Sequence, residues 1–188
     1  MSEYFTINTE EAIAKPVPVE PLPLYDEQFH MLREKMPEFV GTLPNPIMSN
    51  LVSRLKVTMK KFGGIGISAN QCGVYERVFI IGTDQFQITC INPKVVAQSD
   101  TMAKDGEGCL SFPGLTCKIE RPEWIEAEFL TDSGELKRMR LEGLTARCFL
   151  HELDHMNGVR FIERVGPVSL SMARKKQKKL IKMVTRYN

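Results

Sequence analysis

The chain has 188 residues, 43% hydrophobic and 26% charged, an ordinary globular composition long enough for one sizeable core. No run of eighteen apolar residues occurs, so no helical membrane span is expected, and the opening MSEYFTINTEEAIA is too acidic and too polar to read as a secretory or transit leader. Net charge is +2, yet all 23 acidic residues lie at or before Glu163 while 8 of the 25 basic ones follow it, which leaves −6 on the body and +8 on the tail.

Prolines at 16, 18, 21 and 23 in KPVPVEPLPL forbid regular helix, so residues 1–24 are read as an extended strap over the surface. Residues 25–62 are read as a helical segment. Phe29, Leu32, Met36 and Val40 recur at helical spacing, GTLPNP breaks the pattern, and Leu51, Leu55 and Met59 resume it over 48–62. Two helices with a turn between them are expected there.

After GGIGIS the period changes. RVFIIG and QITCINPKVV are short β-branched runs, and WIEAEFLTDSGELKRMRLEG reads as two strands around a turn at Asp132, Ser133 and Gly134. Helical character returns over 144–156, ended by Asn157 and Gly158, and a basic amphipathic helix closes the chain from 169 to about 186. Residues 63–168 form the expected catalytic core of a single domain, with 169–188 as its basic C-terminal helix.

The five cysteines, Cys72, Cys90, Cys109, Cys117 and Cys148, are odd in number and irregularly spaced, which argues against a disulfide framework and for a reducing cytoplasm. Thiols then remain available to metals. The stretch HELDH places two of the three histidines four apart on a helix, about 40° round the axis from each other, so His151 and His155 can share one ion. Glu152 lies beside them as a candidate base. A third ligand is needed: Cys109 in EGCLS is the best candidate, Cys117 and Cys148 compete, and Cys148 reads more simply as a packed side chain. One cysteine and two histidines leave a fourth position open, the pattern of a catalytic site.

Three segments in order, GIGISANQ (64–71), EGCLS (107–111) and HELDH (151–155), resemble the signature motifs of the peptide deformylases. AKPV at 14–17, FPG after EGCLS, the Arg121-Pro122 pair and EGL at 142–144 are also of that type. Ser68, Asn70, Leu150 and Met156 depart from the residues usual in the family, while every ligand, base and oxyanion donor is kept. The resemblance implies an α+β fold with antiparallel β-sheets packed around a central helix carrying HExxH. It also implies removal of the formyl group from N-formylmethionine on nascent polypeptides, with release of formate.

Carried onto this sequence, the resemblance implies one divalent ion on Cys109, His151 and His155, Fe(II) in preference to Zn(II). A metal-activated water attacks, Glu152 serves as base and then acid, and the Gln71 amide and the Leu110 N–H receive the oxyanion. Gly64 and Gly66 let an extended substrate lie along the loop. Ile65, Leu144 and Cys148 are placed in a methionine pocket, and Glu107 with Arg121 forms an ion pair supporting the cysteine loop. Asp154 is expected to orient or cap.

Two other functions fit parts of the pattern: an HExxH-type zinc endopeptidase, and an inactive ribosome binder resting on the +8 tail. The expected partners are N-formylmethionyl nascent peptides and, through the basic helix, rRNA beside the ribosomal exit; the chain itself is expected to act as a monomer. Removing Met172 to Asn188 is expected to abolish salt-sensitive ribosome co-sedimentation and to spare activity on short peptides.

Overall fold

The computed structural model describes residues 18–187, so the AKPV part of the strap lies outside the described residues. The remainder of the strap is irregular, as its prolines require, and lies on helix α1 (Pro46–Lys61): the Leu22 N–H donates to Thr58 Oγ1 at 2.8 Å, and Arg54 Nε donates to the Glu20 carbonyl at 3.1 Å. Helix α1 starts where the sequence signals it, with Asn45 Oδ1 accepting from the N–H groups of Ile47 and Met48 and Pro46 in the first turn.

Among the described residues the strands form two sheets. Strands β1 (Gly66–Ser68), β2 (Val78–Thr83), β3 (Phe86–Gln98), β6 (Trp124–Leu130) and β7 (Leu136–Glu142) make a five-stranded antiparallel sheet in the order β1-β2-β3-β6-β7. Strands β4 (Met102–Gly108) and β5 (Thr116–Pro122) pair as an antiparallel ribbon. Helix α2 (Gly143–Met156) carries HELDH, and helix α3 (Pro167–Tyr187) closes the chain. The antiparallel α+β fold with HExxH on an inner helix is the one expected.

The continuous apolar run in β2 has a simple cause: period-two alternation sends its side chains into two cores. Phe79 and Ile81 join Phe149 and Ala146 of α2 on one face, while Val78 and Ile80 join Leu51, Leu55 and Met59 of α1 on the other. Each large apolar side chain so buried contributes roughly 1.5–3 kcal/mol relative to exposure. A third cluster, Leu32, Phe112, Leu115, Cys117, Ile119 and Phe161, lies behind the loop that follows β4. All five cysteines are free thiols.

The expected helix over 25–40 does not form; only a single 3-10 turn, His30–Arg33, is present. Pro37 withholds a donor and disfavours the helical conformation at Met36. The backbone finds other partners instead: the Met36 N–H donates to the Met156 carbonyl at 2.8 Å, Phe39 exchanges two hydrogen bonds with the Asn92 side chain, and Lys35 bridges to Asn157. Leu32 and Met36 are buried as their spacing suggests, but Val40 is 93% exposed. The expected second helix, over 48–62, is α1.

Candidate active site and metal centre

Helix α2 follows directly from β7 and ends at Asn157, with Gly158 in a left-handed conformation (φ 71°) where an added Cβ would meet the Arg33 carbonyl. This seats the helix with Phe149 toward the sheet and His151, Glu152 and His155 toward the loop after β4. That loop brings Cys109 to the histidines. Ligand atoms of Cys109, His151 and His155 lie within 4.8 Å of one another, and Cys109 Sγ is 3.3 Å from His155 Nε2. A thiolate and two imidazoles form a set suited to zinc or ferrous iron.

The competing thiols go elsewhere. Cys117 is packed in the cluster behind the loop, and Cys148 donates to the Ile65 carbonyl at 3.2 Å. Burial pushes the Cys148 thiol well above its usual range, with the charges of Glu152 and Glu107 adding to the effect, so it stays protonated.

Under the three ligand residues lies a buried charge network. Glu107 accepts from Arg121 through two parallel bonds of 2.9 Å, from Arg147 Nη1 at 2.8 Å, and from His151 Nδ1 at 3.2 Å. Arg121 also donates to Asp154 at 2.8 Å, and Asp154 receives a second guanidinium from Arg164. The ion pair expected between Glu107 and Arg121 is therefore present within a larger array that also takes in Asp154. With Nδ1 held by a carboxylate, His151 presents its other nitrogen for a ligand. Arg147, buried and bonded also to the Ile119 and Ala103 carbonyls, escaped the sequence reading.

Electrostatics at the site favour a cation. Burial opposes a charged His151, but hydrogen bonds to Cys109 and Glu107 and the negative charges of Cys109 and Glu152 outweigh it and raise its pKa well above the ordinary value. His155 is held neutral, first by burial and then by His151. Glu152 is pushed up to about 7, by burial first; the His151 charge and the Ser68 hydroxyl pull it down, and the charges of Glu107 and Asp154 push it up. Its Oε2 has no hydrogen-bond partner among the described residues.

Gln71 ends the turn after β1. Its Oε1 accepts from the Ser68 N–H and hydroxyl, both at 3.0 Å, which turns Nε2 toward Cys109 Sγ (3.3 Å) and Ser111 Oγ (3.1 Å). Neighbouring Asn70 ties the same turn to helix α2 through the His155 carbonyl at 2.8 Å. Ser68, Asn70 and Ser111 add supports that the sequence reading did not assign.

A cleft of about 370 Å³ opens at this cluster. Gln71, Cys109, Leu110 and Glu152 line it, and so do Gly64, Ile65, Gly66, Leu144 and Cys148. Ile65 and Leu144 are 43% and 66% exposed, at the mouth, whereas Cys148 lies deeper. At Gly66 an added Cβ would collide with Glu152 Oε1 and Cys148 Sγ, so the backbone of β1 passes close to the carboxylate only because no side chain intervenes. Strand β1 is an edge of its sheet, which leaves backbone groups along the cleft open for pairing.

Residues 21–171 match the family described as polypeptide deformylase. The peptide deformylase of Thermotoga maritima is 34% identical over 139 residues, 74% of this chain and 85% of the relative. Among solved structures, a peptide deformylase from Synechococcus elongatus in complex with actinonin superposes with a TM-score of 0.79 at 32% identity, covering 88% of each chain. One from Acinetobacter baumannii with Met-Ala-Ser bound gives 0.75 at 28% identity, covering 79% of this chain and 100% of that one. No helix among the described residues is long and apolar enough to cross a membrane. By sequence match, by fold and by the Cys-His-His cluster standing beside a buried glutamate, the chain belongs to the peptide deformylase family of metal-dependent hydrolases.

Proposed function

We propose that this cleft removes the formyl group from N-formylmethionine at the start of nascent polypeptides through the combined action of Glu152, Gln71 and the Leu110 N–H. The observation that carries the reading is the placement of Glu152. Its buried carboxylate, with a pKa of about 7, stands beside the Cys109, His151 and His155 cluster at the floor of the cleft. Formate release from a formyl-Met tripeptide by metal-loaded protein tests it; internal peptide fragments without formate would favour the endopeptidase instead.

Cys109, His151 and His155 would hold a divalent ion, which when bound would supply the Lewis acidity that makes water a nucleophile near neutral pH. Glu152 takes the proton of the attacking water and returns it to the leaving nitrogen, a double task suited to a carboxylate titrating near neutrality. The Gln71 amide, locked at Oε1 by Ser68, points its Nε2 donors at the developing oxyanion, and the Leu110 N–H serves from the cysteine loop. Hydrogen bonds from the substrate backbone to residues 64–66, which lead into β1, tolerate varied sequence. Ferrous iron is the proposed ion; the thiolate and imidazole donors suit zinc as well. Action as a monomer in the cytoplasm accords with this role.

Methionine selectivity is assigned to Ile65, Leu144 and Cys148, a reading supported by the Met-Ala-Ser held by the similar Acinetobacter protein. Replacing the first substrate residue, Met→Ala, is expected to lower kcat/KM by at least about tenfold, as several apolar groups lose their pocket. Equal rates for the two peptides would remove the pocket from the reading.

The basic helix α3 is proposed to meet rRNA through Lys175, Lys178, Lys179 and Lys182, all exposed. Deleting 172–188 is a poorer test than the sequence suggests, because Gln177 within it is buried against the body. Replacing those four lysines by glutamate keeps the inner face and is expected to abolish salt-sensitive ribosome co-sedimentation with formate release intact. Unaltered sedimentation would refute the contact.

A further inference from the structure

Helix α3 docks on the body through Leu170 and Ala173, which pack on the cluster around Phe112 and Phe161, and further along through a polar side chain. Its Leu180, Ile181 and Val184 are each about half exposed, while Gln177 is only 8% exposed. A buried carboxamide needs its bonds satisfied, and each end of this one is. Gln177 Nε2 donates to the Pro113 carbonyl at 2.9 Å, and Gln177 Oε1 accepts from Arg174 Nη1 at 3.0 Å. Arg174 is itself anchored: Nη1 donates to Glu27 Oε1 at 2.9 Å, Nη2 bonds Glu27 Oε2, and the guanidinium stands 5.9 Å from the centre of the Phe112 ring.

The loop so held runs from 109 to 114 and forms one wall of the cleft. Two tight turns shape it, Phe112 N–H to the Cys109 carbonyl and Leu115 N–H to the Phe112 carbonyl, and neither uses the carbonyl of Pro113. Gly114 adopts φ +73°, and Leu180 Cδ2 of α3 lies 3.4 Å from where a Cβ on it would stand, at van der Waals contact. Phe112 and Gly114 line the cleft beside Cys109 and Leu110, and Phe112 meets Phe161 edge-on, which in turn tilts against His151.

We propose that Gln177 is a positioning residue for the substrate cleft: helix α3, braced by Arg174 and Glu27, holds the 109–114 wall in place through the bond from Gln177 to the Pro113 carbonyl. The part of the wall that Gln177 holds directly, Phe112 to Gly114, lies past Cys109 and Leu110 and carries neither the ligand nor the oxyanion donor, so its loosening acts on substrate binding and hence on KM. The kinetic part of the test rests on the deformylase reading, and hydrogen exchange does not.

The test is Gln177→Glu in the metal-loaded full chain. A carboxylate keeps the shape and the bond from Arg174 but sets an acceptor against the Pro113 carbonyl. KM for a formyl-Met tripeptide is expected to rise about tenfold with kcat held within about twofold. Metal content and Tm stay at the wild-type values, and amides of 109–115 exchange faster. Unchanged KM and unchanged exchange in a folded variant overturn the proposal. A wild-type protein that releases no formate sinks the deformylase reading alone, since exchange at 109–115 still decides this one. If Gln177→Glu fails to fold, Glu27→Gln is read instead: faster exchange at 109–115 supports the brace, and unchanged exchange overturns it.

Discussion

Glu152→Gln is expected to lower formate release by about a hundredfold to ten-thousandfold, the usual contribution of a positioned acid–base group, with the metal content unchanged. The amide matches the carboxylate in shape but can neither take nor return a proton. Because Glu152 is not among the three ligand residues, the loss should be read in kcat on protein whose metal has been counted. A loaded variant within tenfold of the wild-type rate would refute the assignment. The same substitution carries a stability signature in metal-free protein. The folded pKa of Glu152, about 7, stands above its ordinary 4.5, so the group's stabilising contribution is complete below pH 4.5 and is lost as pH rises to about 7. Denaturation should therefore show the Gln variant gaining on the wild type between those two values, with the advantage flat above them.

Most of the catalytic core was legible in the sequence because its signals are local. HELDH declares both a helical spacing and a ligand pair, and the β2 run declares a strand buried on both faces. What escaped depends on partners distant in sequence. Strand β4, MAKDGEG, buries only Glu107 and carries no apolar alternation; it is a strand because β5 pairs with it. Strand β5 does alternate, burying Cys117, Ile119 and Arg121, yet the buried arginine hides the pattern until Glu107 is known to face it. Residues 25–40 show the converse failure: Leu32 and Met36 have helical spacing and are buried, but the carbonyl of Met156 and the side chain of Asn92 take the backbone bonds that a helix would need. Arg147 gave no signal, since its acceptors, Glu107 and two carbonyls, come from β4 and β5.

Glu107→Ala is the substitution expected to disturb the folded state most. Glu107 is the meeting point of Arg121, Arg147 and His151, all buried, and its removal leaves two guanidinium groups short of a carboxylate where little solvent is available to replace it. Breaking a buried pair on one side costs about 3–5 kcal/mol, whereas the intact array is worth much less against an apolar replacement of the same volume. Some of that loss is cushioned here, because Arg121 keeps Asp154 and Arg147 keeps the Ile119 and Ala103 carbonyls. Metal retention should fall about ten- to a hundredfold in a chelator competition, since His151 loses the acceptor that fixes its tautomer. The pH dependence follows from the sign of the shift. Burial works to raise the Glu107 pKa, but bonds from Arg121 and His151 and their charges overcome it and lower the value to about 2 from 4.5. The contribution is thus complete above pH 4.5 and disappears as pH falls toward 2. Stability curves of wild type and Glu107→Ala should lie furthest apart above pH 4.5 and approach each other on acidification; a gap that stayed constant through that window, or metal retention equal to the wild type's, would show that Glu107 does not hold the ligand loop.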